Sequence, residues 1–271
     1  MNVLSLFDGM SCGQIALNQL GFKINNYFAS EIDKDAMKIA KKNFPNMQHI
    51  GDVTKVKGSE LPKIDLLMGG SPCQGFSFAG KQLNFNDPRS ALFFEFVRLL
   101  KETNPKYFLL ENVRMKTEYQ DVITEHLNWI EPIAINSSLV SAQNRNRLYW
   151  TNIPDVEQPK DKGILLKDIL DNDAEEPMLS NIYGGFKETK PRIHYGKSVT
   201  IRTATGGGHI PSITLKTGNY RTISPTECEK LQTVPSGYTE GVSNTSRYKM
   251  LGNGWTVDVI KHIFGNMNEL S

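Results

Sequence analysis

Ile64-Asp65-Leu66-Leu67-Met68-Gly69-Gly70-Ser71-Pro72-Cys73-Gln74-Gly75-Phe76-Ser77 is the stretch on which the fold of this chain turns. Its apolar start has the length of a buried strand, and the glycines and proline that follow break the chain direction sharply. Open α/β sheets bind ligands beyond the carboxyl ends of their strands, so the thiol of Cys73 stands where a cleft is expected. A small cysteine packed inside a tight turn is the plain alternative. A strand-end loop, however, exposes side chains rather than hiding them.

The same strand-then-turn pattern recurs on the N-terminal side. Residues 3–7 read as a buried strand, Asp8-Gly9-Met10-Ser11-Cys12-Gly13 as its turn, and Ile15, Leu17 and Leu20 as a helix closed by Gly21. A second strand over 27–30 ends at Glu31, about twenty residues after that turn, the spacing at which a carboxylate can hold ribose hydroxyls. The G-x-G-x-x-G phosphate fingerprint is absent. That argues against a dinucleotide, and so against a dehydrogenase, and for a ligand with adenosine but no pyrophosphate. Residues 35–44 form an amphipathic pattern whose lysines read as a wet face. Asp52 then follows the short apolar pair His49-Ile50. Asp8, Glu31 and Asp52 thus place carboxylates at successive strand ends and suggest a single adenosine-type site along one sheet edge.

On the C-terminal side, 76–87 is polar and glycine-containing, the composition of a mobile lid, and Pro88 is placed to open a helix bearing Leu92, Phe93, Phe96, Val97 and Leu100. The strand 107–110 runs into Glu111-Asn112-Val113, so a carboxylate reaches the same edge as the thiol. A helical pattern covers 119–130. Strands over 133–139 and 148–150 bracket Gln143-Asn144-Arg145-Asn146-Arg147, and arginines one residue apart in a strand share a face. A solvated sheet edge would give the same spacing.

Beyond Trp150 the character changes. Residues 155–177 are acidic, with a short helix expected near 165–170, whereas 181–221 are basic, glycine-rich and dotted with Tyr183, Tyr195 and Tyr220. A loop-rich basic module without a large core of its own suits contact with phosphates and bases. Ser224 with Glu227 makes a capping box for a short helix, and Gly252-Asn253-Gly254-Trp255 turns into a last helix that must pack back on the first domain. The expected domains are 1–155, with the strand-end crevice, 156–247, with the acidic and basic stretches, and 248–271 as the returning segment.

Composition sets the remaining bounds. With 271 residues, 39% of them hydrophobic, the chain fits one large domain or one large and one small. It has no apolar run of about 18 residues and no basic-then-apolar leader, so a cytosolic protein is expected. Cys12, Cys73 and Cys228 are too scattered for a disulfide framework or a metal knuckle. The formal charge of +2 means that any nucleic-acid footprint is local.

Taken in order, Phe7-Asp8-Gly9, Glu31, Asp52-Val53, Pro72-Cys73-Gln74, Glu111-Asn112-Val113, residues 143–147, the Arg221 to Gln232 stretch and 252–255 resemble the DNA cytosine carbon-5 methyltransferases over nearly the whole chain. The resemblance implies a Rossmann-like α/β domain, a mostly parallel sheet flanked by helices, with a small loop-rich target-recognition domain. It implies S-adenosylmethionine as cofactor, no metal, and Phe7, Asp8, Gly9, Met10, Glu31, Ile32, Asp52, Val53, Pro72, Asn253 and Trp255 around it. Cys73 would add to carbon 6 of a flipped cytosine, Glu111 would act on ring nitrogen 3, Arg145 would hold the base and its phosphate, and Arg147 would support the site. Gln74, Ser77, Lys187, Arg192, Arg202, Lys216 and Arg221 would face DNA. The implied partner is double-stranded DNA, with room for a cognate restriction endonuclease acting separately.

Ser11-Cys12 in place of the usual glycine pair, and Gly-Asn-Gly-Trp at the last turn, lean toward the mammalian de novo branch, yet a compact bacterial or phage enzyme fits the length better. The branch that methylates tRNA is the nearest rival, but its Cys-Phe-Thr segment is absent. A silent DNA-binding paralogue would not need Cys73, Glu111 and Arg145 together.

Overall fold

A computed structural model describes residues 1–71, 88–181, 190–203 and 210–267. It divides into two compact units: Met1–Ile135, Asn146–Gln158 and Lys261–Ser271 make the first, Asn136–Arg145 and Pro159–Ile260 the second. This division runs differently from the expected borders, since 136–145 and 248–260 group with the recognition segment. The expected lid over 76–87 lies outside the described residues.

The first unit holds β1 (Asn2–Leu6), α1 (Cys12–Gln19), β2 (Asn26–Ser30), α2 (Lys34–Asn43), β3 (Gln48–His49), β4 (Leu66–Gly69), α3 (Pro88–Thr103), β5 (Tyr107–Val113), α4 (Thr117–His126), β6 (Ile133–Asn136, its last residue counted with the second unit) and β7 (Asn146–Thr151). The sheet order is β3-β2-β1-β4-β5-β7-β6. β1 pairs in parallel with β2 and β4, β2 with β3, and β4 with β5, whereas β7 runs antiparallel to β5. The sheet is therefore mostly parallel, and β1, β4 and β5 are nearly continuous apolar runs because helices cover such sheets on both faces. Leu4, Leu6, Leu67, Leu110, Phe93, Phe96 and Trp150 form its buried centre. Asp33 caps α2 by accepting from the Asp35 and Ala36 N–H groups at 3.0 and 3.1 Å. Gly69 is glycine because a Cβ there would stand 3.0 Å from the Leu6 carbonyl and 3.2 Å from the Phe96 ring.

The helix expected over 119–130 ends at His126, and the left-handed residues Asn128 and Trp129 turn the chain toward β6. The expected strand over 133–139 stops at Asn136 and passes into a short 3-10 turn over Ser137–Leu139.

In the second unit, β8 (Ala174–Ser180), β9 (Arg192–His194), β10 (Ser212–Leu215) and β11 (Tyr220–Thr222) form an antiparallel sheet of order β11-β10-β8-β9. Helices α5 (Pro225–Leu231), α6 (Asn244–Asn253) and α7 (Val257–Phe264) follow, the last running on into residues of the first unit. The segment expected to be loop-rich thus carries a sheet, with Met178, Ile201, Ile213 and Ile223 buried. Gly196 and Gly218 lie between its strands with left-handed backbone, and such glycines are why composition alone suggested loops. Pro177 lies in the inner strand β8 near a register shift of β10 between Ile213 and Thr214, as a residue without an N–H requires. The capping box of α5 is present, with Ser224 Oγ accepting from the Glu227 N–H at 3.1 Å and Glu227 accepting from the Ser224 N–H at 2.7 Å. α6 went unread because its sequence NTSRYKMLGN has no apolar stripe; only Met250 and Leu251 are buried.

Candidate active site

From β1 the chain fills one side of the sheet with β2 and β3, then returns across β1 to start the other side at β4. The carboxyl ends of β1 and β4 therefore flank the point where the strand order reverses, the place at which an open sheet forms a ligand crevice. The turn after β1 is strained: Phe7, Gly9 and Ser11 have φ of 55, 58 and 65°. Left-handed backbone costs a phenylalanine or serine about 1–2 kcal/mol, so neighbouring contacts must hold it. The Asp8 N–H donates to the Ser30 carbonyl at 3.2 Å, the Gly9 N–H to Glu31 Oε2 at 2.8 Å, and the Ser11 N–H to the Asp8 carbonyl at 3.0 Å. The Ser11 hydroxyl and the Tyr27 hydroxyl both donate to the Asp8 carboxylate, Tyr27 at 2.6 Å.

Burial outweighs these hydroxyls and pushes the Asp8 pKa up to about 6. Between about pH 4 and 6 the folded protein therefore keeps a proton that the unfolded chain has released, so stability falls as pH rises through that window. Asp8→Asn should remove this fall and stabilise the protein at pH 7 by on the order of 2–3 kcal/mol. Urea unfolding of both proteins from pH 4 to 7 checks it; a difference between the two that does not change with pH would count against it.

Glu31 Oε1 accepts the N–H groups of Ile32 and Asp33 at 2.7 and 2.8 Å, so with Gly9 this carboxylate ties the ends of β1 and β2 together. Beside it the Ile32 side chain is 75% exposed, an apolar surface held at the crevice. Asp52 caps a short turn, its Oδ1 accepting the Thr54 N–H and hydroxyl at 3.0 and 2.9 Å, and these bonds hold its carboxyl below the usual range. Val53 and Met10 are buried.

At the end of β5, Glu111 is only 8% exposed and its Oε1 lies 2.9 Å from Arg147 Nε on β7, while Arg147 Nη1 donates to the Asn146 carbonyl at 2.8 Å. A charge-assisted pair this buried fixes both side chains. Asn112, on the opposite face of the strand, donates from Nδ2 to Ser71 Oγ at 3.3 Å. Pro72, Cys73, Gln74 and Ser77 lie outside the described residues.

Arg145 precedes β7 and so does not share a strand face with Arg147, contrary to the sequence expectation. It belongs to the second unit, is 3% exposed, and donates to the carbonyls of Ile201, Gly252 and Gly254 at 3.2, 3.1 and 2.9 Å. The pairing with Glu111 thus falls to Arg147, which the resemblance had cast in support. Gln232 donates to the Leu251 and Gly254 carbonyls at 2.7 and 3.0 Å and accepts from Gln143 and Thr256 at 3.2 and 2.8 Å. This buried polar network sets the 252–255 turn, with Asn253 exposed and Trp255 half-buried. Sequence reading gave Gln232 and Thr256 no role, because isolated buried amides and hydroxyls leave no periodic signal.

Of the residues expected to face DNA, Arg192, Arg202 and Lys216 are exposed in the second unit and Lys187 lies outside the described residues. Arg221, also expected to face DNA, is engaged within the second unit. Its guanidinium is clamped between Glu227, at 2.9 Å twice, and Asp173, at 2.9 and 3.1 Å. Burial alone would raise the Glu227 pKa, but Arg221 and the Asp171 and Ser224 N–H groups bring it below the usual range. Arg221 therefore acts as a structural clamp.

The family model for C-5 cytosine-specific DNA methylases matches residues 1–182 and 142–269. The chain belongs to this family. Among curated relatives of this methylase, the type II methyltransferase M1.ScrFI of Lactococcus lactis subsp. cremoris is 32% identical, covering 99% of this chain and 78% of the relative. The type II methyltransferase M.HhaI of Haemophilus parahaemolyticus is 27% identical, covering 98% and 94%. The solved structure of the Entamoeba histolytica methyltransferase EhMeth superposes with a TM-score of 0.76 at 19% identity, covering 99% of each chain, and so matches the fold.

The methylase's crevice residues suit an adenosine-bearing cation. Glu31 keeps one acceptor site beyond its three backbone bonds, and Ile32 offers an apolar face. Among the described residues no cluster of histidine, cysteine, aspartate or glutamate could hold a metal, and no helix is long and apolar enough to cross a membrane.

Proposed function

We propose that this methylase transfers a methyl group from S-adenosylmethionine to carbon 5 of a cytosine flipped out of duplex DNA. The observation that carries the reading is the buried Glu111–Arg147 pair at the end of β5, beside the strand whose chain leads through Ser71 to Cys73. Carbon 5 of cytosine is a weak nucleophile. The Cys73 thiolate adds to carbon 6, forming a carbon–sulfur bond and moving the ring's double-bond electrons onto carbon 5. Glu111 stabilises ring nitrogen 3 as charge develops there, and Arg147 keeps Glu111 in place. The cofactor, when bound, supplies an electrophilic methyl on a sulfonium, which carbon 5 accepts. Loss of the carbon-5 proton to a base then expels Cys73 and restores the ring. A stacked base is out of reach of these groups, so the base must leave the helix.

Glu31, Asp8, Gly9, Phe7, Met10, Ile32, Asp52 and Val53 are the cofactor set proposed for the first unit; Pro72, Asn253 and Trp255 are proposed on the resemblance alone. Arg192, Arg202 and Lys216 are the exposed cations proposed to meet DNA phosphates or bases. Lys187, Gln74 and Ser77 join them from the resemblance. A cognate endonuclease remains a proposed separate partner, in a bacterial or phage-infected cytoplasm.

The test is incubation of the purified protein with S-adenosylmethionine and unmethylated genomic DNA, then base-resolution sequencing. Methyl groups in one recurrent context support the proposal; labelled tRNA with unlabelled DNA overturns the substrate. Glu31→Ala should weaken cofactor binding about 10- to 100-fold, since each hydrogen bond to a charged group contributes about 1.5–3 kcal/mol. An unchanged Kd by calorimetry would remove Glu31 from the site.

A further inference from the structure

Resting on that reading, one contact goes beyond it. β4 and β5 pair in parallel through Gly69 and Leu110, and the same register carried two residues further sets Ser71 opposite Asn112. The side chains meet there, with Asn112 Nδ2 donating to Ser71 Oγ at 3.3 Å. Asn112 Oδ1 accepts the Val113 N–H at 2.8 Å, and this second bond fixes which end of the amide faces the serine. Both residues are sealed from solvent, Asn112 at 2% and Ser71 at 5% exposure. The bond is long, yet either group left unpaired in such surroundings is costly. Asn112 neighbours Glu111 but lies on the opposite strand face, so it does not share the carboxylate's work.

We infer that Asn112 is a positioning residue for the nucleophile. Ser71 stands two residues before Cys73 with proline between, and a proline confines the residue before it to extended backbone. The orientation of Ser71 therefore sets the heading with which the chain leaves β4 toward the thiol. Because Asn112 and Glu111 are consecutive on β5, one strand aims the nucleophile and carries the group that acts on nitrogen 3. A misplacement of about 1 Å at a reacting atom costs on the order of 100-fold in rate, so a bond remote from the base can control the chemistry.

The experiment uses duplex DNA of the methylated context in which the target cytosine carries fluorine at carbon 5. Fluorine cannot leave as a cation, so the sulfur–carbon 6 adduct accumulates and its rate of formation reads the thiol's approach. At saturating cofactor, Asn112→Ala and Ser71→Ala should each slow adduct formation about 10- to 100-fold. The double variant should be no slower than the slower single, the non-additivity of a shared contact. Cofactor Kd should stay within about twofold. Ser71→Ala removes one hydroxyl and keeps the test open should Asn112→Ala fold poorly; Asn112→Asp, which retains an acceptor for that hydroxyl, should recover part of the rate. Adduct formation by Ser71→Ala at the wild-type rate overturns the inference, as does a loss of cofactor affinity and melting temperature with no change in adduct rate. A wild-type protein that forms no adduct overturns the functional reading and the inference with it.

Discussion

Cys73→Ser should lower turnover by a factor of about 1000 or more and leave cofactor affinity within about twofold. Serine is close in size to cysteine, but its hydroxyl ionises far above neutral pH, whereas a thiol yields its nucleophilic anion within reach of it. The bond to carbon 6 then fails to form, and carbon 5 never gains the electron density it needs to take a methyl group. Glu31 and Asp52 are held by the backbone of Gly9, Ile32, Asp33 and Thr54, so binding of the cofactor is the internal control. Single-turnover assays with methyl-labelled cofactor, alongside calorimetry, separate the two effects. Measurable methyl transfer by the serine variant would sink the covalent route.

The second large effect is structural and lies far from the thiol in sequence. A Cβ added at Gly252 would stand 2.3–2.5 Å from backbone atoms of Arg202 and Thr203. Backbone cannot swing aside as a flexible side chain does, so Gly252→Ala must push α6 away from that segment. The shift would pull the Gly252 and Gly254 carbonyls from Arg145 and the Gly254 carbonyl from Gln232. A buried guanidinium that loses its acceptors costs several kcal/mol, so the expected destabilisation is about 3–5 kcal/mol. Thermal unfolding followed by circular dichroism reads it directly. A melting temperature within about 2 °C of wild type would show that the segment at Arg202 yields instead.

The first unit was largely legible in the sequence, and the reason is physical. Parallel strands covered on both faces must be apolar throughout, so β1, β4 and β5 announce themselves, and the carboxylates or glycines after them mark strand ends. The second unit was not. Its strands are short, half-exposed and separated by glycines, and α6 has no apolar face to detect. Residue roles suffered most where charge was the only clue. Arg221 in a basic stretch reads as a phosphate ligand, and nothing local reveals that Asp173 and Glu227, far apart in sequence, already hold it. Arg145 and Arg147 look equivalent one residue apart, yet one clasps carbonyls at the 252–255 turn and the other a carboxylate on β5. Spacing shows which residues share an element; it does not show which partner closes on each.

The Arg221 clamp also bears on how such a protein can change over generations. Asp173 stands immediately before β8 and Arg221 lies in β11, so their bond joins the two ends of one continuous stretch that contains the whole four-stranded sheet. Glu227, at the start of α5, receives the joined ends. Lengthening a loop whose ends are already held adds little closure entropy, about 0.6 kcal/mol per doubling. Longer or shorter loops between these strands therefore leave the entry and exit of the segment where they were.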